Sequence, residues 1–286
     1  MEKLSGRLPP HVYFLISAVF HYLGPSFAVL LFAHLSPLGV AWLRIASAAA
    51  LFALWRNPVR ILSDAAPRAR RLILLLGLIL AAMNICFYLA IARLPLATVA
   101  GIEFAATIAV ALLGLRSLRN LAALALAVAG VFLLVGFTMA GDPQGLVFAF
   151  ANAILFALYI IVGHALAETG GASGVTRLAA AMAVAFLLAA PFGIGDVATL
   201  LAHPLLILFG IGVGLSSSVI PYICDQLAMA RLPRASFALM LSLLPAIAAV
   251  TGAVVLRQIP GPSDLAGILL VVLAVGLHQP AEPAEA

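Results

Sequence analysis

Charged residues are scarce in this sequence. Only 9% of the 286 residues are Asp, Glu, Lys or Arg, whereas 65% are hydrophobic and the mean hydropathy is +1.22. A water-soluble globule of this length needs more polar surface than such a composition supplies. A soluble fold is therefore excluded, and the apolar segments must be surrounded by lipid.

Cysteine is scarce too, and the common chemical motifs are missing. Cys86 and Cys224 lie inside apolar segments, where a free thiol behaves as a small hydrophobic group, so we predict no disulfide. The sequence has no phosphate-binding glycine loop, no His/Cys/Asp cluster with metal-ligand spacing and no nucleophile paired with a base. We expect no catalytic residue, no metal site, no cofactor and no enzymatic activity.

The net charge of +5 does not indicate a nucleic-acid partner, because the basic residues lie at the ends of apolar segments, where they orient a protein in a membrane. A transmembrane helix needs about 20 apolar residues. Ten segments of this kind predict an all-α membrane protein with ten transmembrane helices in a single domain, residues 1–286. We place them at about 11–33, 37–55, 72–92, 96–115, 118–138, 145–166, 175–192, 205–230, 236–256 and 265–277.

One stretch of the chain occurs twice. Residues 84–114 align with residues 222–252 at a constant offset of 138, with twelve of 31 positions identical, including the run Ala-Arg-Leu-Pro. The chain is therefore a duplication, with a first five-helix repeat at 11–138 and a second at 145–278. Because five crossings separate the copies, we expect the second repeat to be inverted in the membrane, which is the architecture of many secondary transporters.

Basic residues predict the orientation of the ten helices. Twelve Lys and Arg residues fall on one side of the membrane, including five in the stretch 56–71, and only Arg93 and Arg257 fall on the other. Cytoplasmic loops carry the excess of positive charge. We therefore predict that both termini and the stretch 56–71 are cytoplasmic.

Several strings of residues resemble a known family in their order and spacing. They are Leu38 to Arg44, Met83-Asn84 with Phe87-Tyr88, Glu103-Phe104, and Ile220-Pro221-Tyr222 followed by Arg231-Leu232-Pro233. With them the chain resembles the drug/metabolite transporter superfamily with paired EamA repeats, and within it the bacterial threonine/homoserine and aromatic amino acid exporters. The resemblance implies ten helices in the bacterial inner membrane with cytoplasmic termini. The chain departs from the threonine/homoserine type at Ala105-Ala106 and at Asp225.

Helical spacing suggests which side chains line a pathway. Residues four or seven apart share a helix face, and an amino acid needs hydrogen-bond partners for its ammonium and carboxylate groups. The candidate substrate-binding residues are Asn84, Tyr88, Glu103, Asn152, Phe156, Tyr159, Ser218, Tyr222 and His21. The alternative is that Asn, Ser and Tyr only join one helix to another. For Gly210, Gly212 and Gly214 we predict close helix packing, with bending as the alternative.

Two charges fall inside predicted helices. Arg44 and Glu103 each lie about seven residues, or roughly 10 Å, from the outer end of a helix. An ionisable group at this depth is costly, so it needs a partner or a function. We expect a structural ion pair between Arg44 and Glu103, with the alternative that Glu103 faces substrate or a proton. Asp225 lies close enough to the cytoplasmic end to reach headgroup water.

Together these observations predict an inner-membrane exporter of amino acids, broad or selective for aromatic or neutral side chains, that works by alternating access. An exporter of other small metabolites or drugs, including nucleotide sugars, is the alternative. The expected partners are the amino acid substrate and the lipid bilayer, and a monomer is sufficient for the mechanism. Since Asp225 is shallow, we find no second deep carboxylate and expect facilitated export, with proton coupling through Glu103 as the alternative.

Overall fold

The computed structural model describes residues 9–111, 117–136, 142–167, 169, 174–221, 223–224 and 243–277. Within these residues the chain is helical and contains no strand. The helices are α1 (Pro10–Leu31), α2 (Pro37–Trp55), α3 (Pro58–Asp64), α4 (Pro67–Ile91), α5 (Leu96–Ala111), α6 (Leu118–Gly136), α7 (Pro143–Ala167), α8 (Gly174–Gly193), α9 (Val197–Ala202), α10 (Pro204–Gly214), α11 (Leu244–Leu256) and α12 (Pro262–Leu277). A short 3₁₀ turn, Ile194–Asp196, follows α8, and a π-helical segment, Leu215–Val219, continues α10.

Proline begins many of these helices. Its fixed φ suits the first helical position, where the missing N–H has no intrahelical acceptor. Helices α1, α2, α3, α4, α7, α10 and α12 all start at a proline. Side-chain caps add to this at two of them: Ser36 Oγ accepts a hydrogen bond from Gly39 N before α2, and Asn57 Oδ1 accepts from Val59 N and Arg60 N before α3. The helix ends are therefore set locally by the sequence.

Five of the described helices are long and apolar enough to cross a membrane: 10–31, 37–55, 67–91, 143–163 and 176–202 with its 3₁₀ turn. Shorter apolar helices cover 118–134, 204–219, 244–256 and 262–274. Each of the ten predicted segments overlaps a described helix. The predicted all-helical membrane fold is confirmed, and the chain is a multi-pass membrane protein; the count of ten crossings stays a prediction.

The arginine-rich stretch 56–71 is helical, where the sequence suggested a loop. Pro58 and Pro67 each start a helix, so α3 occupies the middle of the stretch and α4 begins five residues before the predicted third span. Arg68, Arg70 and Arg71 consequently lie on the first turns of α4, where they are exposed to solvent. Parts of the eighth and ninth predicted spans lie outside the described residues.

Helix packing repeats when each helix is exchanged for its counterpart in the other half of the chain. The counterparts are α1 and α7, α2 and α8, α4 and α10, α5 and α11, and α6 and α12. The contacts α5–α7, α4–α8 and α4–α7 recur as α11–α1, α10–α2 and α10–α1. Three counterpart pairs also pack directly against each other: α2 with α8, α5 with α11, and α6 with α12.

The directly packed counterparts are antiparallel, because the start of one helix bonds to the end of its partner. The hydrogen bonds run from Ser36 N to Asp196 Oδ1, from Leu96 N to Gln258 Oε1, and from Arg119 Nε to Leu277 O. Side chains from both halves therefore meet along the centre of the molecule, where α1, α2, α4, α5, α7 and α10 surround a group of buried polar residues.

Candidate functional site

Arg44 is the charged centre of one part of this buried group. Its side chain projects from α2 and the residue is only 8% exposed. Nε donates to Ser218 Oγ at 3.2 Å and Nη2 donates to Ser217 O at 2.9 Å. Both acceptors belong to the π-helical segment of α10. Such segments are frequent at functional sites in membrane and soluble helices, because the wider turn re-aims side chains and carbonyls.

Small residues allow α10 to come this close to Arg44. A Cβ on Gly214 would lie 2.6 Å from Ser47 Cβ on α2, and a Cβ on Gly24 would lie 2.5 Å from Ser217 Cβ. Larger residues at either position would push α10 away from α1 and α2. The predicted close packing is confirmed for Gly210 and Gly214, which both contact α2. A Cβ added at Gly212 would have no described atom within 4 Å, so close packing is not observed there.

Tyr88, which belongs to α4, lies beside Arg44. The guanidinium carbon is 5.6 Å from the centroid of the Tyr88 ring, and Tyr88 is fully buried. A cation over an aromatic face is favourable, more so when both are removed from water. The predicted candidates Tyr88 and Ser218 are thus brought together by Arg44.

Glu103 forms the second charged part of the group. Its Oε2 accepts a hydrogen bond from Asn152 Nδ2 at 2.6 Å, which joins α5 to α7, and both residues are buried. Aromatic rings continue from this bond along α7. Phe156 packs edge-on against Phe104 at 6.5 Å and stacks on Tyr159 at 6.0 Å.

His21 and Tyr22 on α1 connect the two parts. Their rings are in edge-to-face contact at 5.3 Å. His21 lies within electrostatic range of Arg44, Tyr22 lies within range of Glu103, and Arg44 and Glu103 lie within range of each other. We call the set His21, Tyr22, Arg44, Tyr88, Glu103, Asn152, Ser217 and Ser218 the central polar cluster.

Three buried atoms of the cluster lack a hydrogen-bond partner among the described residues. They are the hydroxyls of Tyr22 and Tyr88 and Oδ1 of Asn152. A buried polar atom without a partner costs roughly 1–3 kcal/mol, so proteins seldom leave one unless a ligand or water satisfies it. The Tyr22 hydroxyl lies within electrostatic range of Glu103, and Asn152 bonds to Glu103 through the other atom of the same amide, so two of the three atoms lie on the Glu103 side of the cluster.

The direct ion pair expected between Arg44 and Glu103 is not among the ion pairs of the described residues, which join Arg60 to Asp64 and Arg93 to Asp142. Arg44 is satisfied by the π-helical segment instead, and Glu103 by Asn152. The two charges therefore act on each other at a distance, without a shared hydrogen bond.

Asn84 lies apart from this arrangement in its bonding, since its Nδ2 donates to Leu80 O of its own helix at 2.7 Å. Tyr222 and Asp225 lie outside the described residues.

Sequence reasoning missed Tyr22 and Ser217 as site residues. Tyr22 was marked only by the unusual polarity of the first helix, and Ser217 by its place in the triplet Ser216-Ser217-Ser218. Among the described residues, no group of His, Cys, Asp and Glu could hold a metal ion.

Apolar membrane helices around a buried, charged and polar centre are typical of a membrane transporter. Comparison with known proteins makes this specific. Residues 143–278 match the EamA-like transporter family. The chain is 30% identical over 254 residues to the threonine/homoserine exporter RhtA of Escherichia coli K12, covering 88% of this chain and 84% of that protein. It therefore belongs to the EamA-like transporter family of the drug/metabolite transporter superfamily, as the sequence predicted.

A second exporter and a solved structure are also similar to this chain. The threonine/homoserine exporter RhtA of Salmonella typhimurium SL1344 is 30% identical over 253 residues, covering 87% of this chain and 82% of the relative. A protein of known crystal structure matches 93% of this chain and 96% of its own with a TM-score of 0.57. Its sequence identity is 16%, so that likeness shows the fold alone. The family and the two exporters from Escherichia coli and Salmonella typhimurium indicate a small-molecule exporter.

Proposed function

We propose that this protein exports amino acids from the bacterial cytoplasm across the inner membrane, and that the central polar cluster binds the zwitterionic end of the substrate. The observation that carries this proposal is the pair of buried, opposite charges Arg44 and Glu103, held on different helices without a mutual ion pair among the described residues. Burying two ions costs several kcal/mol each. A zwitterion offers each of them a partner of opposite charge.

The cluster has hydrogen-bonding capacity left for such a ligand. A guanidinium carries five N–H donors, so the bonds from Arg44 to Ser217 and Ser218 leave capacity for a carboxylate oxygen. The Tyr22 hydroxyl and Asn152 Oδ1, which border Glu103, offer acceptors for an ammonium group. The rings of Phe104, Phe156 and Tyr159 provide an adjoining aromatic wall for the substrate side chain.

Alternating access between two inverted halves is the mechanism we propose. The exchange of helix contacts between the halves and the antiparallel packing of three counterpart pairs support it. For two counterpart helices related by an axis in the membrane plane, antiparallel packing is the expected result, whereas an axis normal to the membrane would leave them parallel.

The orientation follows from charge. With the stretch 56–71 cytoplasmic, α2 ends inside and Ser36 lies at the outer face. In a variant lacking Cys86 and Cys224, a cysteine introduced at Ala65 should resist an impermeant thiol reagent in intact cells and react after permeabilisation. Rapid labelling of intact cells, with an outer-face control behaving normally, would reverse the orientation.

Transport by the purified protein tests the substrate class. Counterflow in proteoliposomes should accumulate labelled threonine or another neutral amino acid, but neither a cationic dye nor a sugar. Asn152→Ala should lower the rate about tenfold or more, since a hydrogen bond to a charged group contributes about 1.5–3 kcal/mol. Asn84→Ala is the matched control, because its amide bonds its own helix. Dye or sugar transport without amino acid transport would overturn the proposal.

Facilitated export is our proposal for the energetics. Glu103→Gln keeps the shape of the side chain and the partner of Asn152, but removes the charge. Efflux with and without a proton gradient should show equal rates in the parent protein. Accumulation driven by the gradient, and abolished by Glu103→Gln, would instead make Glu103 the coupling residue.

A further inference from the structure

A polar cavity lies away from the central polar cluster. It has a volume of about 590 Å³ and is formed where the end of α2, the helix α3, the beginning of α4 and the beginning of α8 meet. Arg56, Arg60, Asp64 and Arg177 supply its charged lining. Nothing in the transport mechanism proposed above uses this cavity.

Positive charge is in excess there. Among the described residues that line the cavity, three arginines face one carboxylate, and Arg60 Nε lies 3.5 Å from Asp64 Oδ2, so one positive charge is largely balanced. The side chain of Arg56 makes no hydrogen bond or ion pair with any described residue. Arg177 is 6% exposed and donates to Leu166 O, which fixes a buried cation at the cavity wall. The cavity therefore favours an anion.

Apart from Asn57 and Thr169, the remainder of the described lining is apolar. Trp55, which is 60% exposed, stands at one side, and Ile61, Ala69 and Ile73 form the floor. Leu54, beside Trp55, is 81% exposed at the last turn of α2. Tryptophan next to exposed leucine, followed at once by arginine, is typical of the level where the hydrocarbon gives way to headgroups. An occupant of this cavity would thus meet positive charge at one end and apolar surface at the other.

We propose that this cavity binds the phosphate headgroup of an anionic phospholipid, with Arg56 and Arg60 contacting the phosphate and Trp55 and Ile73 contacting the glycerol and upper acyl chain. Basic pockets between membrane helices are suited to lipid headgroups in this way. A free inorganic phosphate would gain nothing from the apolar floor. Because α3 and α8 contact each other, a bound lipid would also join the arginine-rich stretch 56–71 to the second half of the chain.

The test uses the full-length protein in neutral detergent and two matched double variants. R56Q/R60Q removes two charges from the cavity. Arg56 and Arg60 are exposed, as are Arg68 and Arg71 of the second variant, so both variants should fold. R68Q/R71Q removes two charges from the first turns of α4, and neither Arg68 nor Arg71 lines the cavity. The readouts are the number of lipids retained in native mass spectrometry and the shift in unfolding temperature on adding phosphatidylglycerol, phosphatidylcholine or inorganic phosphate.

We expect the parent protein and R68Q/R71Q to retain phosphatidylglycerol at least fivefold better than phosphatidylcholine, and R56Q/R60Q to lose that preference. Equal losses in both double variants would show a general effect of surface charge and overturn the proposal. Equal retention of both lipids by the parent would overturn it as well. Stabilisation by inorganic phosphate as large as that by phosphatidylglycerol would assign the cavity to a soluble anion. None of these results depends on which substrate the protein exports.

Discussion

The two ends of the α2–α8 pair differ, although the two helices are counterparts in the duplicated chain. At one end, which we call the sealed end, Asp196 accepts hydrogen bonds from the backbone N–H and the hydroxyl of Ser36. Gly39 lies directly against the Asp196 carboxylate, and Gly193 lies directly against the Trp42 ring. At the other end, the open end, Trp55 and Arg177 border the lipid cavity proposed above.

Side-chain size explains this difference. At the offset of 138 residues, Gly39 corresponds to Arg177 and Gly193 corresponds to Trp55. The same two positions therefore carry glycine where the helices touch and large side chains where they separate. We infer that these differences in side-chain size bias the pair towards closure at the sealed end. The alternating-access cycle proposed above requires the sealed end to open, and we expect these contacts to contribute to the free energy of that opening.

The chain contains two tryptophans, one at each end of the α2–α8 pair, so the fluorescence of each reports on one end. Trp42 stacks on Phe186 at 6.0 Å at the sealed end. Trp55 is exposed at the open end. Trp55→Phe leaves Trp42 as the only tryptophan, so quenching of its fluorescence by acrylamide measures opening of the sealed end.

The largest effect should come from Gly39→Leu. A Cβ at this position would overlap the Asp196 carboxylate, so α2 and α8 must separate. Overpacking of this kind typically costs about 1–3 kcal/mol. We expect a lower unfolding temperature and several-fold stronger quenching of Trp42. Gly212→Leu is the control, because the missing side chain of Gly212 has no described atom within 4 Å. Unchanged quenching in Gly39→Leu would mean that the seal does not depend on this contact.

Asp196→Ala should have a smaller effect in the same direction. It removes the acceptor of both Ser36 hydrogen bonds, and charge-assisted bonds at a partly exposed site contribute about 1–2 kcal/mol in total. Quenching of Trp42 should rise in Asp196→Ala. In Asp196→Asn, which keeps one oxygen acceptor, quenching should lie between that of the parent protein and that of Asp196→Ala. Asp64→Ala at the open end should leave Trp42 unchanged. Equal quenching for Asp64→Ala and Asp196→Ala would show that charge alone, and not the Ser36 contact, is responsible.

Much of the fold could be predicted from the sequence, because apolar segments and prolines act locally. Helix α2 has the predicted bounds, and α1, α7 and α8 differ from prediction by two residues or fewer at each end. The helices α3 and α9 were missed, since seven or six residues between two spans show no distinctive hydrophobic pattern. Both follow a turn at a span end, and such short segments depend on the helices against which they pack.

The central polar cluster was harder to predict than the fold. A buried charge such as Arg44 or Glu103 is visible in the sequence by its cost in a membrane helix. Its partner is not, because the bond from Arg44 to the Ser217 carbonyl depends on a π-helical segment and on the close approach allowed by Gly214. The equal depth of Arg44 and Glu103 predicts a direct ion pair. In the structure each charge instead forms hydrogen bonds with neutral groups on other helices, Arg44 with Ser217 and Ser218 and Glu103 with Asn152.

Trp55→Gly should have the smallest effect and tests the symmetry argument most directly. It places a glycine at the open end, at the position that corresponds to Gly193 at the sealed end. Trp55 is 60% exposed, so its loss should change the free energy of unfolding by less than about 1 kcal/mol. If a large side chain there opposes closure of the open end, its removal should favour the state in which the sealed end is open. Quenching of Trp42 should then rise slightly relative to Trp55→Phe, by less than about fivefold. A decrease would show that Trp55 helps to hold the open end together, and that residue size does not bias the pair.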